Sequence, residues 1–331
     1  MSKILNFNRI GNIDKTKLKD VHKGMIPDII SQDNIYHYTS INGLKDILKE
    51  GKLWFTHMNY MNDRDEIIAG IEQLNKVGIE NYGEEYADVI NAEAADLKGQ
   101  DHKTYVSCFS LKSDILSMWN YYTKDVHNQG YSIGFNYKNL IVSLLQQNEE
   151  LHGCNLSFGK IDYCISDENY ASRALTQSIY AMSTALETLR AFIAKETPDF
   201  SKLKTSEPIP YAKFFGNEPI FRQSPSLDIL YFMKRPCFYT EEEFRIVIQV
   251  PDSVLKSLEE NKKFKYRISN GVLIPYLELD FDTSSLVGIT LSPTINSDLA
   301  EQSIRDYCKY CNIDSDTFPE KIAKSEIPVR F

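Results

Sequence analysis

Alternating apolar and polar residues predict short β-strands along much of the chain. These runs are rich in β-branched and aromatic residues, and several end at turn-forming residues. The predicted strands are Ile35–Tyr38, Lys52–Thr56, Lys103–Leu111, Tyr131–Asn136, Glu243–Val250, Val272–Leu279 and Leu286–Ser292, and Cys154–Ile165 predicts a further strand or a hairpin.

Apolar residues at helical spacing predict a helix from Ile41, between the first two strands. Thr39 or Ser40 can cap its N-terminus, and Gly51 ends it. Longer helical patterns cover residues 64–98 and 168–195, and another helix is predicted after Pro293.

The order of these elements predicts one α+β domain with helical insertions. Residues 1–33 form an N-terminal extension, and residues 34–331 form the domain. Within that domain, residues 168–225 read as a helical and loop insertion, because the segment 197–225 carries five prolines and predicts a loop.

Composition argues against several classes of function. The 331 residues carry a formal net charge of −9, which disfavours an overall electrostatic attraction to nucleic acid. Two basic stretches, Asp14–Lys23 and Asn261–Arg267, favour solvated turns or helix faces. The N-terminus lacks a signal-peptide pattern and no later run has the length of a membrane span, so we expect a cytoplasmic protein with reduced cysteines and no membrane partner.

Metal binding is not predicted. Cys308 and Cys311 form a CxxC pair, but no second pair accompanies it and the surrounding pattern is helical. We therefore interpret them as two positions of one helix. The six histidines show no zinc-enzyme spacing.

Three polar or aromatic motifs have both a functional and a structural interpretation. His37 lies on a predicted strand just before a capped helix, where its ring can donate to a sugar hydroxyl or phosphate, or can be satisfied by a backbone carbonyl. In a helical "MWNYY", Trp119 and Tyr122 share a face, and they can wall a flat ligand or pack into the core. Asn62, in the polar loop "NDRDE", can orient a neighbouring group or cap the next helix.

Three consecutive glutamates precede the strand that ends at Val250. If all three lie on the strand, alternation places Glu241 and Glu243 on one face with Arg245, and Glu242 on the other. This grouping suits a carboxylate held by an arginine, and it equally suits an exposed strand entrance.

The order of these motifs resembles a family of bacterial domains of unknown function. The resemblance spans about residues 35–250 and ends near the stretch "LVGITLSP". Three positions depart from the family pattern: Arg64 replaces a proline, Phe244 a tryptophan and Ser292 a glycine. The matching stretches are "YHYTS", "NDRDE", "SCFS", "MWNYY", "GYSIGF" and "YTEEEFRI". That family is grouped by fold with the ADP-ribosyltransferase-like superfamily, so the resemblance implies a split mixed or antiparallel sheet as the core.

Matched position by position, the resemblance implies that His37, Tyr122 and Glu243 are catalytic. NAD would be the substrate and no metal would be needed. His37 would hold a ribose or the diphosphate, Tyr122 would stack on nicotinamide, and Glu243 would bond a ribose hydroxyl. The further NAD-binding positions would be Tyr38, Thr39, Asn62, Ser110, Trp119, Glu241 and Arg245, and Glu241 would also activate the acceptor.

The implied function is NAD-dependent ADP-ribosyl transfer to a protein or nucleic acid, as in a toxin or an anti-phage defence effector. Two alternatives stay open. The site can transfer ADP-ribose to water, as an NAD glycohydrolase does, or the chain can be a non-catalytic nucleotide-binding or interaction module.

Overall fold

A computed structural model provides the structure of the chain. It describes residues 21–61, 67–72, 75–76, 102–123, 129–163, 211–215, 218–222, 227–269, 271–295 and 297–328. Most of the predicted helices over 64–98 and 168–195 lie outside these ranges, although residues 67–72 and 75–76 are helical. The structure is α+β, with a large mixed sheet and helices packed on it.

The strands follow the predicted pattern closely. They are β1 (Asn34–Thr39), β2 (Lys52–His57), β3 (His102–Ser110), β4 (Tyr131–Asn136), β5 (Asn155–Lys160), β6 (Tyr211–Phe215), β7 (Glu218–Arg222), β8 (Glu243–Pro251), β9 (Phe264–Ser269), β10 (Val272–Asp280), β11 (Leu286–Leu291) and β12 (Lys321–Lys324). The principal α-helices are α1 (Ile41–Glu50), α2 (Leu116–Tyr122), α3 (Tyr137–Gln147), α4 (Asp252–Glu260) and α5 (Asp298–Tyr310).

The sheet forks at β3. Its main path runs β12-β11-β4-β1-β3-β8-β5-β6-β7, and a branch runs from β3 through β2 and β10 to β9. Strand β1 pairs with the end of β3 at Ser110, whereas β2 pairs with β3 nearer its start, at Tyr105 and Val106. The β11–β12 pair is parallel and the other named pairs are antiparallel. This topology supports a mixed, open sheet.

One face of the sheet carries the main hydrophobic core. Phe109 and Phe244 are in register across β3 and β8 and belong to this core together with Phe135. Helix α3 covers this face through Leu140 and Leu144. The opposite face carries a smaller aromatic cluster and the buried charges described below.

The described part of the predicted N-terminal extension packs against the core. Val21, Ile26 and Ile29 are buried there, and the Tyr137 hydroxyl donates to the Pro27 carbonyl at 3.0 Å. Residues 21–33 therefore help to cover the sheet.

The predicted loop at 197–225 is wrong for its described part. Residues 211–222 contain a two-stranded extension of the sheet, in which β6 pairs with β5 and β7 pairs with β6. Pro219 lies on β7, which ends the main path of the sheet. A proline removes one backbone donor, and an edge strand tolerates this loss because one side of it needs no partner.

The CxxC pair sits at the end of a helix, as interpreted from its pattern. Cys308 is buried in α5, and Cys311 is the C-terminal capping residue of that helix. None of the helices in the described part of the chain combines the length and apolar character needed to cross a bilayer.

Candidate active site

The glutamate run marks the junction between a 3-10 helix and β8. Glu241 ends the 3-10 helix Pro236–Glu241, Glu242 takes a left-handed conformation (φ 43°, ψ 51°), and β8 starts at Glu243. The strand therefore starts at Glu243, as predicted, but the condition that all three glutamates lie on it is not met. Glu241 therefore lies near Glu243 from its place at the end of the 3-10 helix, where both carboxylates contact Lys234.

A buried ionic cluster joins four charged residues: Lys234, Glu241, Glu243 and Arg245. The Lys234 Nζ donates to Glu241 Oε2 at 2.7 Å and to Glu243 Oε2 at 2.9 Å. The Arg245 Nε donates to Glu243 Oε1 at 2.7 Å, and its Nη2 donates to Glu243 Oε2 at 3.2 Å. All four side chains are buried. Two positive and two negative groups balance formally, which makes their burial tolerable.

The environment separates the pKa values of the two carboxyl groups. Burial favours the neutral form of Glu243, but the charges of Arg245 and Lys234 outweigh it and hold its pKa well below the usual range. For Glu241, burial outweighs the effect of Lys234, so its pKa is raised. Burial also opposes the charge on Lys234, yet the neighbouring Glu243 carboxylate leaves the lysine pKa raised. Glu243 is thus the anchored anion of the cluster, and Glu241 is the better proton acceptor.

Uncharged groups fix the position of both glutamates. Ser110 is in register with Glu243, and its hydroxyl donates to the Glu241 carbonyl at 2.8 Å. The Glu243 amide donates to the Tyr163 hydroxyl at 2.7 Å. The Tyr122 hydroxyl lies 3.4 Å from Glu241 Oε2, and burial raises the pKa of Tyr122, so this phenol remains a donor.

Tyr38 and Trp119 form an aromatic cluster on the same face of the sheet. Their ring centroids are 4.6 Å apart in an edge-to-face arrangement, and Trp119 is 1% exposed. The indole Nε1 donates to Asp114 at 2.7 Å, and the Tyr38 hydroxyl donates to the Lys112 carbonyl at 3.0 Å. These contacts correspond to the core-packing interpretation of Trp119, and in this structure its ring is not open to a ligand.

His37 does not join the ionic cluster. It is in register with Ile133, and its ring centroid lies 5.6 Å from that of Phe109, so it faces the main core. Glu243 faces the other side of the sheet with Ser110. The His37 Nδ1 lies 3.0 Å from the Cys108 carbonyl, and burial lowers the pKa of the imidazole. The expectation that His37 and Glu243 face one pocket therefore does not hold in this structure.

The remaining predicted site residues also lie partly near the ionic cluster and partly away from it. Thr39 lies at the end of β1, in register with Tyr131 and on the His37 side of the strand. Asn62 lies outside the described residues. Of the ten predicted site residues, the structure brings together Ser110, Tyr122, Glu241, Glu243 and Arg245.

Sequence reasoning missed Lys234 and Tyr163. Lys234 directly follows the apolar run Ile229–Met233 and precedes Glu241 by seven residues. A lysine that interrupts an apolar segment near several glutamates is a signal for a buried ion pair. Tyr163 gives no such signal, because its contact with β8 depends on the path of the chain after β5.

The cluster offers carboxylate chemistry. Two carboxylates with separated pKa values can divide the roles of electrostatic stabiliser and proton acceptor. Within the described ranges, no group of three or more His, Cys, Asp or Glu side chains is arranged to hold a metal ion.

Comparison with known proteins finds a family similarity over part of the site. No curated protein and no solved structure matches the chain. Residues 118–246 match the model of a family described as a protein of unknown function, DUF2971. The matched segment begins in α2 and ends in β8, so it contains Tyr122, Lys234 and all three cluster residues from Glu241 to Arg245. Over this segment the chain is similar to a family of domains whose function is unknown.

Proposed function

We propose that the chain is an NAD-dependent ADP-ribosyltransferase that uses the ionic cluster to pass ADP-ribose to a protein or nucleic acid. The observation that carries this proposal is the buried pair of carboxylates Glu241 and Glu243, which share Lys234 while Arg245 bonds Glu243. Their pKa values shift in opposite directions, which agrees with this difference in environment. Such a pair is typical of sites that stabilise a cation and accept a proton in one reaction. NAD as the substrate is what the family resemblance of the motifs implies.

In the proposed reaction, the bond between ribose C1′ and the nicotinamide nitrogen breaks. The bonding electrons leave with nicotinamide, which becomes neutral, and positive charge develops on the ribose ring. Glu243 is ionised and anchored by Arg245, so it stabilises this charge without reorganising. A lone pair of the acceptor then forms the new bond to C1′, and Glu241 accepts the proton of the acceptor.

Tyr122 marks the side from which a ligand would approach. It is half-buried at the end of α2, and its hydroxyl contacts Glu241. Stacking of its ring on nicotinamide would place the ribose beside the two carboxylates. Lys234 would have to leave at least one carboxylate when the ribose enters, since it now bonds both.

The test compares wild type with Glu243→Gln and Glu241→Gln, with nicotinamide release and transfer of a labelled NAD analogue as readouts. We expect Glu243→Gln to reduce nicotinamide release by about 10²- to 10³-fold, as for the loss of one preorganised electrostatic group. We expect Glu241→Gln to reduce transfer to the acceptor more than nicotinamide release. Glu242→Gln is the matched control, because Glu242 is partly exposed and pairs with Lys112. NAD turnover unchanged by Glu243→Gln would refute the proposal.

The His37→Ala variant distinguishes the site proposed from the structure from the catalytic role that the family resemblance implies for His37. The ring of His37 faces the main core, so the proposed site predicts that NAD turnover persists once folding is verified. The role implied by the resemblance predicts a loss of turnover.

A non-catalytic nucleotide-binding module is the second candidate. This candidate is favoured because both carboxylate oxygens of Glu243 already accept hydrogen bonds from Arg245 and Lys234, which compete with a bond to a ribose hydroxyl. Calorimetry that detects NAD binding without nicotinamide release would support this candidate. Release of free ADP-ribose without labelled adducts would instead indicate an NAD glycohydrolase.

A further inference from the structure

A second concave site lies at the far end of β3 from the ionic cluster. It is a groove of about 570 Å³ between the end of β2 and the β9–β10 hairpin. We call it the aromatic groove, and its lining includes His57, Tyr60, Lys103, Tyr105, Phe264 and Tyr266. Its volume falls within the range of about 300–1,000 Å³ common for small-molecule sites.

The aromatic groove continues the core face of the sheet. Phe55 is buried in the core, and His57 follows it on the same face of β2, in register with Tyr105. On the hairpin, Phe264 is in register with the core residue Leu277, and Tyr266 is in register with Pro275. The Tyr266 side chain is 58% exposed, so the aromatic face reaches solvent here.

Rings line the groove at several angles. The His57 ring makes edge-to-face contacts with Tyr60 and Tyr105, with centroids 5.6 Å and 5.3 Å apart. Phe264 contacts Tyr266 in the same manner at 5.2 Å. The exposed rings of Tyr60 and Tyr266 offer surfaces on which a flat ligand can stack.

A buried hydroxyl in this lining has no partner among the described residues. Tyr105 is fully buried, and its hydroxyl makes no hydrogen bond there. An unsatisfied buried hydroxyl is costly, and a ligand that bonds it would recover that cost. His57 adds a second polar group. Its Nδ1 accepts from the Asn59 amide at 3.3 Å, so the neutral ring carries its proton on Nε2.

The charge at the groove suits one anion and not a long polyanion. Lys103 is exposed and carries the positive charge among the described lining residues. The basic residues of β9 alternate onto the other face, where Lys265 bonds Glu278 and Arg267 donates to Thr56. The basic stretch Asn261–Arg267 therefore does not provide a track for a nucleic-acid backbone here.

We propose that the aromatic groove binds a mononucleotide. Its base lies against the rings of Tyr60 and Tyr266, its polar edge bonds the Tyr105 hydroxyl and His57 Nε2, and its phosphate lies at Lys103. Only a flat heterocycle with hydrogen-bonding edges and one anionic group uses all of these features together. The site is independent of the proposed transferase chemistry, because Tyr105 and Glu243 face opposite sides of the sheet.

The test is calorimetric titration of the purified full chain with AMP at low salt. We expect Tyr266→Ala to weaken AMP binding by about fivefold or more, the usual effect of losing one stacking ring. The side chain is largely exposed, so this variant should fold. Tyr310→Ala is the matched control, since Tyr310 is 70% exposed on α5 and should leave the affinity unchanged.

Tyr105→Phe tests the buried hydroxyl. It should weaken AMP binding by about five- to tenfold while raising the melting temperature of the free protein, because a desolvated hydroxyl is removed. If the Tyr105 hydroxyl had only a structural role, its removal would not weaken AMP binding while raising the melting temperature.

Three outcomes would overturn the proposal. The first is that AMP does not bind, and the second is that AMP binds but both groove variants leave its affinity unchanged. The third is that a ten-residue deoxyadenosine oligonucleotide binds far more tightly than AMP, with a steep salt dependence. Glu243→Gln should leave the AMP affinity unchanged, and a loss there would assign AMP to the ionic cluster. Failure of NAD turnover alone would leave the groove proposal standing.

Discussion

At the scale of single residues, Lys234 determines the electrostatic balance of the candidate site. Its ammonium group lies within hydrogen-bonding distance of both Glu241 and Glu243, and the three side chains are buried. Such a network adds little net stability over an apolar replacement of the whole set, but removal of one member leaves an uncompensated buried charge.

Lys234→Met should therefore destabilise the protein strongly. We expect the free energy of unfolding near pH 7.5 to fall by about 3–5 kcal/mol, because Glu241 would lose the ammonium group that it is paired with while Arg245 stays bonded to Glu243. Chemical denaturation monitored by circular dichroism measures this change. Lys112→Met is the matched control: Lys112 pairs with Glu242 but is 60% exposed, so its loss should cost about 0–1 kcal/mol.

The pH dependence of Lys234→Met follows from the same charges. In wild type, the pKa of Glu243 is held low, so its ion pairs stabilise the fold above the pKa of an unfolded glutamate and are lost as pH falls through the lower folded value. Glu241 behaves oppositely, because burial raises its pKa in the folded state. Without Lys234 that rise is larger, so the variant should regain stability as acidification protonates Glu241. If the difference in the free energy of unfolding between wild type and Lys234→Met stays constant from neutral to mildly acidic pH, this account is contradicted.

At the scale of elements, local sequence predicts those features that are fixed by neighbouring residues. The first helix was predicted from its apolar spacing and its ends, and α1 indeed has Ser40 at its N-cap and Gly51 at its C-cap. The start of β8 at Glu243 was predicted correctly, but no local pattern shows that Glu242 takes a left-handed conformation and that Glu241 belongs to a 3-10 helix. The strands β6 and β7 were missed because the prolines in and around them resemble loop signals. Pro219 itself lies on β7, whose place at the end of the main path of the sheet makes a proline acceptable.

Gly51→Ala tests the end of α1. Gly51 has φ 61°, and a Cβ there would lie 3.2 Å from the Phe281 carbonyl oxygen. We expect a loss of about 1 kcal/mol in the free energy of unfolding, because an L-residue is strained in the left-handed region. Gly24→Ala is the control, since it has open space around its Cβ position, and its effect should be near zero. Equal effects of both substitutions would show that the left-handed conformation does not matter for stability.

At the scale of the whole molecule, the candidate site depends on contacts between distant segments, and the sequence predicts these least. The family resemblance implied a group of ten site residues, and the structure brings five of them together: Ser110, Tyr122, Glu241, Glu243 and Arg245. The resemblance could not predict that the 3-10 helices Leu227–Phe232 and Pro236–Glu241 carry Lys234 to the same place. Nor could it assign His37 to the opposite face, because that depends on the register of β1 against β3 and β4.

Asp114 links the C-terminal segment to the helix that carries Tyr122. Its carboxylate accepts from Trp119 Nε1 in α2 at 2.7 Å, from the Ser325 hydroxyl at 2.7 Å and from the Glu326 amide at 2.8 Å. These bonds join residues just before α2 to residues just after β12, more than 200 positions away. The carboxylate therefore couples the order of α2 to the docking of the chain end.

Asp114→Ala should loosen both segments together. We expect about 2–4 kcal/mol of destabilisation, because three donors lose a charged acceptor. Amide hydrogen exchange should speed up in Trp119–Thr123 and in Ser325–Ile327, which hold the donors to Asp114. Exchange in α4 should remain slow, because these three hydrogen bonds lie outside that helix. Asp316→Ala is the control: its carboxylate binds Arg305 at 3.3 Å near α5, and its loss should leave exchange in α2 unchanged. Faster exchange in Ser325–Ile327 with unchanged exchange in α2 would contradict this coupling. It would show that the C-terminal segment does not stabilise the helix that carries Tyr122.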